Sequence, residues 1–114
     1  MTPQTTVKIS LRVGDGTAAE YQAEVPAHLG PYPGLAVTVL PDGRIWRVTH
    51  LANGHRISRA TFPAAHLAWG AALACGEGVD WTRASGQVCA DPLARAAAAR
   101  LEGWDEGRWP AAER

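Results

Sequence analysis

Residues 44–59 read Arg-Ile-Trp-Arg-Val-Thr-His-Leu-Ala-Asn-Gly-His-Arg-Ile-Ser-Arg, and this stretch decides the fold. Asn53-Gly54, near its centre, is a strong hairpin signal. A two-residue type I′ turn needs positive φ at both central residues, and Asn and Gly adopt such angles at the lowest cost. We therefore predict a β-hairpin whose loop is Asn53 and Gly54.

The predicted hairpin has two unlike faces. With a two-residue loop, Thr49 faces Ser58 and His50 faces Ile57, and side chains alternate between the faces. The apolar face comprises Trp46, Val48, His50 and Ile57, with Arg59 near its rim. The polar face comprises Arg47, Thr49, Arg56 and Ser58, with Leu51 as its main apolar exception. We expect the apolar face to line a core, with one His50 ring nitrogen bonded to a backbone or threonine partner, and the polar face to meet water or a polar partner.

A second hairpin is predicted nearer the N-terminus. Apolar and polar residues alternate along residues 7–13 and again along 19–25, which is typical of strands with one buried face. A three-residue loop, residues 14–16, pairs Ile9 with Tyr21 and brings apolar side chains together. A two-residue loop would set apolar side chains against polar ones, so the three-residue loop is predicted.

The strands are separated by proline- and glycine-rich turns. Residues 26–34 hold three prolines and two glycines, which favours a stiff connecting loop that is neither helix nor strand. Residues 35–40 are apolar on both faces, as in a central strand that is covered on both sides. Five strands are therefore predicted, at residues 6–13, 19–25, 35–40, 44–51 and 56–61.

Two helices are predicted after the strands. Thr61-Phe62-Pro63 opens the first, which ends at Gly76, and Asp91-Pro92 opens the second, because a cap residue followed by proline is a typical helix start. Residues 83–87 are expected to be a polar connector.

This order of elements predicts an α+β fold. The sheet is expected to be a strongly curved, antiparallel, five-stranded meander, followed by one packed helix and a second, C-terminal helix. One domain of residues 1–114 is expected, with the sheet at 6–61, the helices at 62–76 and 91–103, and a tail at 104–114.

Charge is unevenly distributed along the chain. Eleven basic and eleven acidic residues give a formal net charge of zero, so the molecule as a whole has no electrostatic preference for nucleic acid. Residues 44–59 nevertheless carry four arginines, two histidines and no acid, whereas the rest of the chain carries seven basic and eleven acidic residues. The sequence thus predicts a basic hairpin on a mildly acidic body.

The composition also indicates a location and a source. The N-terminus lacks the basic and apolar regions of a signal peptide, and no apolar run is long enough to cross a bilayer. A cytoplasmic protein without membrane contact is expected, with Cys75 and Cys89 as free thiols, and a bridge between the two cysteines is the alternative. The high alanine content and the use of arginine over lysine are typical of a GC-rich bacterial or phage source.

No pattern predicts catalysis, a cofactor or a metal site. The four histidines and two cysteines show no HxH, HExxH or CxxC spacing. Ser85-Gly86-Gln87 does not form a nucleophile elbow, and Gly76-Glu77-Gly78 follows a helix where a phosphate loop would precede one. A non-enzymatic binding module is therefore expected.

Two binding functions are compatible with the pattern. The first is nucleic-acid binding through the hairpin, by Arg47 and Arg56 with help from Arg44 and Arg59, because arginine forks and hydroxyl groups bind phosphates. These arginines could instead be ordinary surface residues that meet acidic neighbours such as Glu20, Glu24, Asp105 and Glu106.

The second function is protein interaction, as a homodimer, an inhibitor or an adaptor. Trp104 and Trp109 lie in the C-terminal segment, where buried aromatic surface would stabilise a contact with the domain or with a partner.

Overall fold

The computed structural model describes residues 4–12, 20–41 and 43–103. These residues form four strands and three helices. The strands are β1 (Gln4–Arg12), β2 (Glu20–Leu29), β3 (Leu35–Val39) and β4 (Trp46–His50). The helices are α1 (Ala65–Cys75), α2 (Ser85–Ala90) and α3 (Pro92–Glu102). The order of sheet before helices confirms the α+β class.

The strands form one antiparallel sheet in the order β1-β2-β3-β4, so each strand pairs with its neighbour in sequence. The predicted fifth strand is not confirmed. Residues 56–62 are joined to β4 only by isolated bridges, between Thr49 and Arg56 and between Trp46 and Phe62. Because seven residues span a distance that four residues of β4 cover, the segment must bulge away from a regular ladder. The predicted strong curvature of the sheet stays a prediction.

Both hairpins have a register that differs by two residues from the predicted one. Ile9 pairs with Ala23, where Tyr21 was predicted, and Thr49 pairs with Arg56, where Ser58 was predicted. In the second hairpin His50 bonds the backbone of His55, its N–H donating to the His55 carbonyl oxygen at 2.9 Å. The loop is therefore longer than Asn53-Gly54. Since side chains alternate with a period of two, this shift leaves the residues that pair in the two hairpins on their predicted faces.

Strand β2 is longer than predicted. It continues through Pro26 to Leu29, and Ala27 pairs with Thr5 on one side and with Thr38 on the other. Pro26 lies just before the point where β2 begins to pair with β3, a position where its missing N–H is tolerated. The connecting loop is thus confined to residues 30–34.

One face of the sheet packs against the helices, as predicted for the face that carries Val48. Val37 and Val48 pair across β3 and β4 and lie in one core with Phe62. Helix α1 contributes buried alanines to this core, including Ala68 and Ala72. Such small side chains let the helix approach the sheet closely.

The opposite face is also buried, which corrects the expectation that it meets water. Its buried residues occupy alternate positions of all four strands and are Ile9, Val25, Ala27, Ala36, Thr38, Arg47 and Thr49. The loop after β4 covers part of this face, because the Ser10 N–H donates to the Gly54 carbonyl oxygen at 3.0 Å. The Thr38 and Thr49 hydroxyls bond each other at 2.8 Å, so their burial leaves neither group unsatisfied.

The helix boundaries follow the predicted signals in part. Helix α1 begins later than predicted, with Ala64 as its N-cap, and ends at Gly76 as predicted. Asp91 caps α3, its side chain accepting a bond from the Leu93 N–H, and Pro92 is the first helical residue. Helix α2 was not predicted, and it replaces much of the expected polar connector.

Candidate functional site

Arg47 is a buried residue, although it belongs to the predicted polar face. Its exposed fraction is only 6%. The Nε–H donates to the Thr49 hydroxyl at 3.2 Å. One Nη2 group donates to the carbonyl oxygens of Gly54, at 3.0 Å, and Ser10, at 3.4 Å. Arg47 therefore ties the loop after β4 to strand β1, and its Nε and Nη2 groups are already bonded inside the protein.

The electrostatic setting of Arg47 agrees with this burial. Removal from water, followed by repulsion from the nearby Arg56, lowers the pKa of Arg47 to about 10. The guanidinium is still charged at neutral pH, so it is a buried cation held by carbonyl and hydroxyl oxygens. Such a group braces the structure, because its five donors can hold several backbone acceptors at once.

The loop between His50 and His55 approaches strand β1 closely. Gly54 has φ of +72°, and a Cβ at this position would lie 2.8 Å from the Lys8 carbonyl oxygen. The Ser10 hydroxyl donates to the Asn53 carbonyl oxygen at 3.3 Å, and the Asn53 side-chain oxygen accepts from the His55 N–H at 2.8 Å. Both the φ angle and the missing Cβ explain why glycine occupies this position.

The other three predicted arginines are exposed. Arg44, Arg56 and Arg59 lie before and after β4, which is the last strand in the sheet order. Because the segment 56–62 runs beside β4, Arg56 and Arg59 lie next to the last strand, whereas Arg44 lies in the turn that joins β3 to β4. The structure thus exposes three of the four predicted site residues, on the segments before and after β4, and places Arg47 inside.

A pocket lies between the loop after β4 and helices α2 and α3. Its volume is about 240 Å³. It is lined by His50, Asn53, His55, Arg56, Ile57, Trp81, Val88, Cys89, Ala94, Arg95 and Ala98. Its walls are mostly apolar, and the two charged side chains are both arginines, Arg56 and Arg95. No aspartate or glutamate is present among the described residues that line it.

His50 forms part of the pocket wall and is held rigidly. It is 3% exposed, and its Nε2 lies 2.8 Å from the Trp81 carbonyl oxygen. A carbonyl oxygen can only accept, so Nε2 carries the hydrogen, and in the neutral ring Nδ1 is an acceptor. Within residues 4–12, 20–41 and 43–103 no group bonds to Nδ1. This backbone bond confirms the partner predicted for one ring nitrogen of His50.

Arg95 was not predicted as a site residue. It lies in the first turns of α3, whose start is held by the Asp91 cap and by an ion pair between Arg83 and Asp91. Arg83 and the Leu93 N–H hold the pKa of Asp91 below its ordinary value. Nothing near Arg95 in the sequence indicates the hairpin as its neighbour, because only the packing of α3 brings the two together.

The remaining candidates are placed as follows. Trp104 and Trp109, the predicted partner-binding residues, lie outside the described residues. Cys75 is buried, Cys89 is exposed in the pocket wall, and the two do not form a disulfide with each other. In the part of the chain that the structure describes, no group of three or more potential metal ligands is found. No described helix is long and apolar enough to cross a membrane.

Comparisons of the chain with protein-family models, with curated proteins and with solved structures find no match. Its function must therefore be argued from its own residues.

Proposed function

We propose that this chain is a small, non-enzymatic module that binds nucleic acid through phosphate contacts along the β4 edge. The observation that carries the proposal is the exposure of Arg44, Arg56 and Arg59 on the segments before and after β4, where Arg95 from α3 adds a further cation at the pocket that Arg56 lines. We define these four residues as the arginine edge.

The residue type supports phosphate binding. Arginine presents a planar fork of donors that matches the oxygens of a phosphate, and its charge persists at every physiological pH. Phosphate contacts supply most of the affinity of sequence-independent binding. Because the chain as a whole has no net charge, we expect a nucleic-acid strand to bind only locally, at the arginine edge. The affinity should then depend on these four residues.

Arg47 has a supporting role in this proposal. Its guanidinium is occupied by Thr49, Gly54 and Ser10, and it holds the loop that ends next to Arg56. This revises the sequence-based hypothesis, in which Arg47 and Arg56 were the two principal phosphate ligands.

The proposal predicts a strong dependence of binding on salt. Four phosphate contacts to a single strand correspond to a slope of about −3 in a plot of log K against log salt concentration. Affinity should then fall roughly 50-fold for a fourfold rise in salt. The measurement is fluorescence anisotropy of a labelled mixed-sequence single strand, titrated with the full chain at several salt concentrations.

Two charge-removing variants make this test specific. Arg56→Gln should weaken binding and make the salt slope shallower by about 0.7. Arg100→Gln removes the same charge from an exposed position on α3 that does not line the pocket, where Arg100 donates to the Cys75 carbonyl oxygen, and it should change both quantities much less. Binding that is absent, or that does not change with salt, would end the proposal.

Protein interaction through Trp104 and Trp109 is the alternative function, and it stays a prediction. Both residues lie outside the described part of the chain.

A further inference from the structure

We propose that the pocket takes one unpaired nucleobase while Arg56 and Arg95 bind the phosphate beside it. The inference rests on the proposed function and deepens it, because it makes the module selective for single strands over duplexes. Five features of the site carry the argument, namely its size, its apolar walls, its polar groups, its charge and its access.

The size of the pocket fits a single small ring. Its volume of about 240 Å³ is below the usual range of roughly 300–1,000 Å³ for sites that hold a drug-sized ligand. A long or branched ligand would not be enclosed. A flat heterocycle with the rest of the ligand outside is the kind of occupant that this volume accepts.

The walls suit a flat, apolar surface. Ile57, Val88, Ala94 and Ala98 contribute aliphatic groups, and Trp81 contributes a ring that is 2% exposed. The indole N–H of Trp81 donates to the Gly76 carbonyl oxygen at 3.0 Å, so this polar group already has its partner inside the protein. Every nucleobase has a flat face that such walls can cover.

Two polar groups in the wall complement the edge of a base. His50 offers Nδ1 as an acceptor, because its Nε2–H is bonded to Trp81. Asn53 offers an amide N–H₂ as a donor, because its side-chain oxygen already accepts from the His55 N–H. A nucleobase edge carries donors and acceptors side by side, whereas an aliphatic chain would leave both wall groups without partners.

The charges favour a phosphate next to the base. Arg56 and Arg95 belong to different elements and both line the pocket, and no described lining residue is acidic. A phosphate joined to an inserted base would therefore meet two cations. Both arginines are part of the arginine edge, so a strand bound along the edge can place a base in the pocket.

Access to the pocket distinguishes a single strand from a duplex. A paired base is stacked inside the helix and must be unpaired before it can enter a pocket, which has an energetic cost. An unpaired base has no such cost. The pocket therefore predicts tighter binding of single strands, whereas phosphate contacts alone would not discriminate in this way.

The first experiment compares three labelled ligands of equal length with the full chain, by fluorescence anisotropy at one salt concentration. The ligands are a mixed-sequence single strand, a fully abasic strand with the same sugar-phosphate backbone, and the duplex. We expect the single strand to bind about tenfold more tightly than the abasic strand, since burying one base on an aromatic wall has an effect of this order. The duplex should bind less tightly than the single strand.

The second experiment fills the pocket. Ala98→Leu places a larger side chain in the wall of α3, and Ala99→Leu is the matched control, because Ala99 is exposed on the same helix and does not line the pocket. Ala98→Leu should lower single-strand affinity to the abasic level without changing the abasic affinity or the salt slope. Ala99→Leu should leave the single-strand affinity, the abasic affinity and the salt slope unchanged.

The outcomes separate this inference from the proposed function. Equal, salt-dependent affinity for the base-containing and abasic strands overturns the inference and leaves phosphate binding in place. Absence of binding to all three ligands overturns both. If Ala98→Leu does not fold, the abasic comparison still decides, because it needs no variant. Competition by a nucleoside 5′-monophosphate, but not by ribose 5-phosphate, would further support the pocket as the base site.

Discussion

Arg47 and Arg56 belong to the same hairpin, yet they occupy opposite environments. The bridge between Thr49 and Arg56 places both arginines on one face, but Arg47 is 6% exposed and Arg56 is exposed. Arg47 lies within the sheet, beside β3 and under the loop that contacts β1. Arg56 lies beyond the last strand. The comparison shows that cover by the loop after β4, and not the face alone, decides whether an arginine is available to a ligand.

The largest expected effect comes from breaking the contact that encloses Arg47. Gly54→Ala adds a Cβ at φ of +72° and 2.8 Å from the Lys8 carbonyl oxygen. Backbone strain and overpacking together should lower the free energy of unfolding by about 3 kcal/mol. Urea denaturation followed by circular dichroism measures this change.

Gly43→Ala is the matched control for that variant. Gly43 has a similar φ of +75°, but none of the described atoms lies within 4 Å of its added Cβ. Gly43→Ala should therefore lower the free energy of unfolding only through backbone strain, by about 1 kcal/mol. Equal losses for the two glycines would mean that the contact between the loop and β1 contributes little.

The next largest effect should separate the two arginines directly. Arg47→Met removes the bonds to Thr49, Gly54 and Ser10, and should lower the free energy of unfolding by about 2 kcal/mol, as expected for the loss of buried bonds to a charged donor. Arg56→Met should change stability by less than about 0.5 kcal/mol.

Binding should show the reverse order. At a temperature where both variants are folded, Arg56→Met should weaken binding to a single strand more than Arg47→Met does. Calorimetric unfolding and anisotropy on the same samples measure both quantities. A larger loss of affinity for folded Arg47→Met would contradict the bracing role.

A smaller effect is expected where α3 meets the arginine edge. Asp91→Ala removes the cap of α3 and the partner of Arg83, and should lower the melting temperature by a few degrees. Because the pKa of Asp91 is lowered in the folded state, its contribution is present above its ordinary value of 3.8 and is lost as the pH falls through the folded-state pKa. The difference in melting temperature between wild type and variant should therefore narrow in acid. A difference that stays constant down to pH 2 would show that the ionised carboxyl is not the stabilising form.

The smallest expected effect tests the alternative function. Truncation after Gly103 removes Trp104 and Trp109, and should leave single-strand affinity unchanged within about twofold, since every residue of the arginine edge remains. Light scattering on the same protein measures self-association. Loss of a dimer, with unchanged affinity for the strand, would assign the tail to assembly. Loss of strand binding would place the site outside the arginine edge.

The sequence predicted the faces of the strands better than their partners. Both hairpin registers differ from prediction by two residues, at Ile9 and at Thr49, and the faces survive because alternation has a period of two. The predicted fifth strand was not confirmed, because only Arg56 and Phe62 bridge to β4 and five residues lie between them. Local turn signals do not report such a bulge. The short helix α2 was missed because six residues carry too little periodicity to be recognised.

For the candidate site, the sequence predicted the exposure of three arginines but neither the burial of Arg47 nor the position of Arg95. The absence of acids made residues 44–59 the candidate region, and Arg44, Arg56 and Arg59 are exposed there. Arg47 was misjudged because the expectation of a solvated face took no account of the loop folding back on β1. Arg95 was missed because its proximity to Arg56 depends on how α3 packs.

The amino-acid sequence by itself determined the local features of this protein. Alternation sorted the side chains of the strands, Asp91 and Pro92 started α3, and Gly76 ended α1, because each of these depends on residues within a turn or two along the chain. Only the tertiary structure decided which arginines are available and where the pocket lies. Those outcomes depend on contacts between residues far apart in sequence, such as Ser10 with Gly54, which no local pattern encodes.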